Sequence, residues 1–371
     1  MVYNIKRQYS VTFTIIDTKK MRVFYLGFLF LFFVTSCKDS HVPAYSPDVS
    51  DIVLDDISFV RYDHLVRDLD TTDIVSAFDK LYADHPHITR IYFESLINFK
   101  GIGQDSFYNN LKDFIHAAPI KTLQSSVDAE YADTRSIENQ ISNVAKYLKH
   151  YFPDYNFPNF YTFITEFGYQ TIIFKDGKLK DDKDGIGIGL DMYLGNNFNY
   201  KEVDPKDPVF SDYLTRSYNR DHVVRNAAEI IVADILGRET GKRLLDQMLY
   251  NGKKLYLLDQ IMPGVSDTII VEYPQEDMEW VQNNELQIWD YFIKNKLVYE
   301  TSHLKINKYF NKSPHSPGMP PEAPGRTANY IGWRIISKYM SRYPDTTLPE
   351  LIAMTDSQKL MELSRYKPKR R

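Results

Sequence analysis

The chain has 371 residues, 43% of them hydrophobic, with 45 Lys and Arg against 49 Asp and Glu for a net charge of -4. That length and apolar content support a large core, in one domain or two. The slight acidity excludes the concentrated basic face of a nucleic-acid-binding surface, and 28 Tyr with 22 Phe exclude a disordered composition.

At the N-terminus, Lys19, Lys20 and Arg22 precede the apolar run Val23–Val34, VFYLGFLFLFFV. It falls short of the roughly 20 residues a membrane helix needs. Its layout is that of a secretory signal peptide, residues 1–36, with Met21 as an alternative start after a long polar leader. The run ends in Val34-Thr35-Ser36-Cys37, which resembles a bacterial lipobox. Cys37 is the only cysteine, so the mature chain has no disulfide and no cysteine ligand or nucleophile. A palmitate-class acyl group on Cys37 would tie the protein to the lipid bilayer of the cell envelope, with the outer membrane expected. Residues 37–51, with two prolines and no periodicity, read as a flexible tether.

Residues 52–371 are expected to form a single α+β, mostly helical domain, helical over 52–155 and mixed over 156–371. The stretch FVRYDHLVRDLDTTDIVSAFDKLYADHP reads as a strand and then a helix opening near Thr72, with Ile74, Val75, Phe78 and Leu81 at helical spacing. His85-Pro86-His87 ends it, and the rigid proline between the two histidines argues for a loop terminus over a metal site. Further helices are predicted over 90–100, 106–117 and 125–152. The last shows Ile137, Ile141, Val144, Tyr147, Leu148 and Tyr151 on one face.

Strands are then predicted at Tyr161–Ile164, Tyr169–Phe174 and Ile186–Leu194, with a turn at Asp176-Gly177. In the third, Gly185, Gly187, Gly189, Asp191 and Tyr193 share one face. The glycines leave that face bare for a helix or an extended ligand. GIGIG has the wrong spacing for a dinucleotide fingerprint. A calcium loop over 180–191, with Asp182 and Asp184 as ligands and Asp191 at its end, fails because Lys180 takes the first ligand position.

A helix over 211–241 places Val224, Ala227, Ala228, Ile231 and Ile235 on its core face and His222, Asn226 and Glu229 opposite. In the H-E-x-x-H zinc-peptidase pattern two histidines bind zinc and the glutamate is the general base. Here Val223 replaces that glutamate and Asn226 the second histidine, so no metal or other cofactor is expected. The helix over 276–299 puts Glu285 among Val281, Ile288, Trp289 and Phe292. A carboxylate there needs a partner, and Arg326 or Arg334 in the stretch 324–339 is the best placed. An Arg ahead of a helix start also suits an anion. Glu285 either satisfies that Arg structurally, or the pair meets a peptide terminus or a partner's side chain.

GLDMYLG at Gly189–Gly195, NGKKLYLLD at Asn251–Asp259 and Met262-Pro263 come in a distinctive order with Trp280, Asn284-Glu285 and Ile288-Trp289. PGR at Pro324–Arg326 and IGWRI at Ile331–Ile335 complete the series. Together they resemble the gliding-motility lipoprotein B (GldB) family of Bacteroidota. That family is itself similar to zincin-like H-E-x-x-H peptidases. The resemblance implies a zincin-like body with a small antiparallel sheet, the glycine-rich strand being its substrate-side edge. The departures at Val223 and Asn226 imply lost catalysis. The expected function is a non-enzymatic envelope lipoprotein that scaffolds the gliding and type IX secretion machinery. Its groove would draw on Asp191, His222, Asn226, Glu229, Glu285, Arg326 and Arg334. A divergent membrane-anchored zinc-dependent hydrolase using His222 and Glu229 is the alternative. The partners implied are the bilayer and other envelope proteins, with no nucleic acid.

Overall fold

The structure, a computed structural model, describes residues 46–54, 57–177, 183–239 and 241–368. The expected signal peptide, the expected acylation site Cys37 and the expected tether as far as residue 45 lie outside the described residues. So do Lys180 and Asp182 of the calcium-like loop and the last three residues of the basic tail. His41–Arg371 make up one compact unit. Val49 is already buried in its core, and Ser46 meets the Tyr147 hydroxyl at 2.9 Å.

The first half is helical, as its periodicity predicts. After the short strand β1 (Phe59–Val60) come α1 (Tyr62–Arg67), α2 (Ile74–Asp84) and α3 (Pro86–Ile91), which runs on into a single π turn, Tyr92–Leu96. Asp73 caps α2 by accepting from the Ser76 amide. α2 ends at Asp84 with His85 as its C-cap, where the His85-Pro86-His87 stretch is expected to stop it, and Pro86 takes the first turn of α3, where its missing N–H is not needed. Then follow α4 (Asp105–His116), α5 (Ala118–Glu130) and α6 (Arg135–Tyr151). The helix predicted over 125–152 is therefore two. It breaks where Tyr131 turns inward and donates its hydroxyl to the Tyr193 carbonyl at 2.6 Å.

The sheet contains β1, β2 (Asn159–Phe163), β3 (Thr171–Lys175) and β4 (Asp184–Gly189) in the order β1-β2-β4-β3. β1 with β2 and β2 with β4 are parallel, and only β3 with β4 is antiparallel. The expected small antiparallel sheet is thus mixed. The glycine-rich strand is internal rather than an edge, because β3 folds back along one side of β4 and β2 lines the other. Its predicted extent also shortens, for Leu190–Tyr193 wind into a 3-10 turn. Nor is the glycine face open. A Cβ on Gly185 would strike the Phe174 ring, and one on Gly187 would lie 2.5 Å from Phe163 and 2.8 Å from Ile172. Side chains of the two neighbouring strands fill the space expected for a helix or a ligand.

The sheet consequently has a core on each face. Ile186 and Ile188 join the larger one, with α6 and the later helices. Tyr161, Phe163 and Phe174 join a smaller aromatic core with Tyr62, Phe78, Phe93 and Phe107. There Phe78 and Phe107 pack edge to face with centroids 4.8 Å apart.

Past the sheet lie α7 (Asp212–Thr215), α8 (Arg220–Leu236), α9 (Leu244–Ile261), α10 (Asp267–Val271), α11 (Gln275–Asn283) and α12 (Glu285–Lys294). α13 (His303–Ile306), α14 (Thr327–Arg342), α15 (Leu348–Ala353) and α16 (Ser357–Ser364) complete the chain. The single helices predicted over 211–241 and 276–299 each break at an asparagine. Asn219 caps α8 by accepting from the Asp221 amide, and Asn284 donates back to the Trp280 carbonyl at 2.8 Å. Among the described residues no helix is long and apolar enough to cross a membrane.

The centre of the larger core is the crossing of α9 and α14. A Cβ on Gly252 would run into the Gly332 carbonyl, and a Cβ on Gly332 into the Met248 carbonyl. Two glycines thus let two backbones touch. Next to Gly252, buried Lys253 donates to the carbonyls of Met354 (2.6 Å) and Ile352 (3.4 Å) at the end of α15. Such a cation complements a helix C-terminus, and burial lowers its pKa to about 8.

Asp259, further along α9, is buried without a cation among the described residues. Burial raises its pKa to about 7, and Asp267 adds to the rise. A carboxyl raised above its unfolded value holds its proton better in the folded state. Its favourable effect is complete at acid pH and is lost as pH climbs through 7. Asp259→Asn is therefore expected to stabilise the fold at pH 8 by roughly 2–4 kcal/mol, and by much less at pH 5. Urea unfolding at the two pH values checks this, and a gain equal at both would exclude an ionised Asp259 as the cause.

Candidate functional site

α8 carries the face compared with zinc-peptidase motifs, and all three of its predicted residues have protein partners. His222 Nδ1 lies 2.9 Å from Asn219 Oδ1. Burial lowers the His222 pKa to about 4, so the ring is neutral near pH 7. Asn226 donates to the Tyr193 hydroxyl at 3.0 Å and accepts from Arg225 Nη1 at 3.1 Å. Glu229 pairs with Arg225, one turn back on the same helix, and with Lys254 at 2.8 Å. Burial opposes its ionisation, but Arg225 and Lys254 prevail and hold its pKa at about 2.

The group that gathers these residues is Glu272, which sequence reasoning passed over. Its side chain is 4% exposed; Oε2 accepts from Arg326 at 2.8 Å and Oε1 from Lys312 at 2.9 Å, with Arg225 at 3.6 Å. Arg326 also donates to the Glu272 carbonyl at 2.8 Å. Burial pushes the Glu272 pKa up, yet Arg225, Arg326 and Lys312 outweigh it and keep the carboxylate ionised, well below the usual range. Both Glu272 and Arg326 have left-handed backbones, at φ +56° and +60°. Neither is a residue that adopts this conformation readily, and their mutual bonds hold the two turns in place.

Four cations, Arg225, Lys254, Lys312 and Arg326, thus converge on two carboxylates. A metal ion would meet net repulsion here, with the Arg225 guanidinium already between Asn226 and Glu229. Arg326, expected opposite Glu285 or an external anion, has Glu272 as its anion.

The model of one family, gliding motility protein GldB, matches residues 43–368. The chain belongs to the GldB family. No curated protein and no solved structure matches it.

Several residues behind the GldB resemblance can now be read physically. Gly252 and Gly332 form the helix crossing, Lys253 holds α15, and Lys254 and Arg326 enter the charged cluster. Glu285 takes Arg334 rather than Arg326, accepting from its Nε at 3.2 Å and from the Tyr366 hydroxyl at 2.9 Å. The arginine side chain stays 37% exposed. Water therefore screens the pair, which is worth less than a fully buried one. Asp191 stands apart from both groups. Fully buried, it accepts from the amides of Thr165 (3.0 Å) and Phe167 (2.7 Å). It thereby secures a turn in which Glu166 and Phe167 both have positive φ. Burial raises its pKa to about 6. The seven predicted residues hence occupy three places: four around Glu272, two beside Tyr366, and Asp191 beneath the 165–167 turn.

Proposed function

We propose that this GldB-family protein is a non-enzymatic, lipid-anchored component of the cell envelope. In this reading Cys37 carries the acyl anchor, the outer membrane is its site, and the body binds partners in the gliding and type IX secretion machinery. The family match supports the motility role. One observation favours a non-enzymatic body: Arg225 bonds both Asn226 and Glu229, tying up the side chains a zinc-hydrolase reading would need.

Complementation tests this in cells whose own copy is deleted. His222→Gln, which keeps a polar group against Asn219, is expected to restore gliding to the wild-type level. Cys37→Ser is expected to fail while the protein accumulates unanchored. Loss of gliding in a stably folded His222→Gln protein, with zinc bound to the wild type at near-equal stoichiometry, would establish the hydrolase instead.

A further inference from the structure

A cavity of about 420 Å³ lies away from the charged cluster, among α1, the π turn, α4 and α5. Its size falls within the range of small-molecule sites. Floor and rim differ in chemistry. Val66, Tyr92, Ile115 and Ile164, all buried, and half-buried Ile120 give it an apolar floor. The exposed lining residues, which stand at the rim, include Arg67 and Lys121.

The two acids of the lining already have cations. Asp63, whose side chain is fully buried, accepts from Arg61 at 3.0 and 2.7 Å and also from Thr162. Asp128 accepts from Arg67 and from Gln124, at 2.8 and 2.9 Å. Arg67 gives its other two bonds, both 2.7 Å, to Asp68 outside the cavity, so it is divided between two carboxylates and has no charge to spare. Asp63, His64 and Asp128 converge closely enough to suggest a metal set. However, Arg61 Nη2 stands 2.7 Å from both Asp63 Oδ2 and His64 Nε2, where the cation would have to sit.

Lys121 is the cation left over, for no carboxylate among the described residues pairs with its ammonium. It precedes Asp128 by two turns of α5, roughly 10 Å along the helix axis. Salt at physiological strength screens exposed charges beyond about 8 Å. An anion at Lys121 therefore gains a counter-charge at a hydrated rim and stays clear of both acids. An exposed ion pair alone is weak. The neighbouring floor adds what the lysine lacks, since a hydrocarbon tail that enters it leaves water.

We propose that this cavity binds an amphipathic anion, a carboxylate on an aliphatic tail. The head pairs with Lys121 at the rim, and the tail lies against Ile115, Ile120 and Tyr92. Saturation-transfer NMR on the full-length protein in lipid nanodiscs, with empty nanodiscs as the blank, tests this with hexanoate, acetate and hexylammonium. Hexanoate is expected to bind about tenfold more tightly than hexylammonium, which brings the wrong charge to Lys121. It is expected to exceed acetate, which lacks the tail, by at least about tenfold. Lys121→Glu changes an exposed side chain, so the unfolding midpoint should hold while hexylammonium becomes the better ligand. Hexanoate still preferred by Lys121→Glu would overturn the proposal. So would acetate bound as tightly as hexanoate, which would reduce the site to a surface ion contact, or no hexanoate signal above the empty nanodiscs.

Discussion

Glu272→Ala is expected to lower folding stability by about 3–5 kcal/mol, because it leaves buried Arg225 and Arg326 without their shared carboxylate. The two guanidiniums would then repel each other in a poorly hydrated site, and the left-handed turn at residue 326 would lose its support. Urea unfolding supplies the measurement. Combining Glu272→Ala with Arg326→Met should cost less than the sum of the single changes, since the second removes a charge the first had stranded. The pH dependence has a definite sign. A carboxylate held below its unfolded pKa contributes its full stability above that value, and the contribution fades as acid carries the pH down through the folded pKa. The difference between wild type and Glu272→Ala should thus be flat from pH 6 to 8 and shrink below about pH 4.5. A small or pH-independent difference would mean the cluster is more hydrated than its geometry shows.

Gly332→Ala should be nearly as damaging, against the usual direction for a helix interior. Helix propensity alone favours alanine over glycine by about 1 kcal/mol. Here the new methyl meets the Met248 carbonyl, part of a neighbouring helix backbone that cannot rotate aside as a side chain could. Overpacking of that kind costs about 1–3 kcal/mol and more when backbones must separate, so a net loss of about 3 kcal/mol is expected. Thermal unfolding measures it. An alanine that raised the midpoint would show that α9 and α14 can part without disturbing Ile331 and Leu255 on either side.

Element types were largely legible in the sequence, whereas breaks and partners were not. Apolar spacing from Ile137 to Leu148 marks α6 well, but nothing local announces that Tyr131 will leave its helix to reach Tyr193. The glycines of β4 were visible as a bare stripe. What fills it, Phe163 on one neighbour and Phe174 on the other, depends on strand order, which alternation does not encode. Glu285 was recognisable as a carboxylate among apolar residues, and Arg334 as one of two possible partners. Glu272 offered no comparable signal, because its burial follows from three distant segments meeting. Only the i, i+4 spacing of Arg225 and Glu229 could have pointed toward that cluster.

The placement of the glycine-rich strand also bears on how the body comes apart. With a separate apolar cluster on each face, the sheet acts as a bulkhead between two cooperative units of unequal size. The smaller is assembled mainly from α1 to α4, elements close together in the chain, and beyond the sheet it is tied to the larger through α5, whose Gln124 and Asp128 bond Asp63 and Arg67 of α1. Opening the smaller core therefore means breaking those polar bonds along with its aromatic packing, and hydrogen exchange is expected to show it opening at a lower free energy than the α9–α14 crossing.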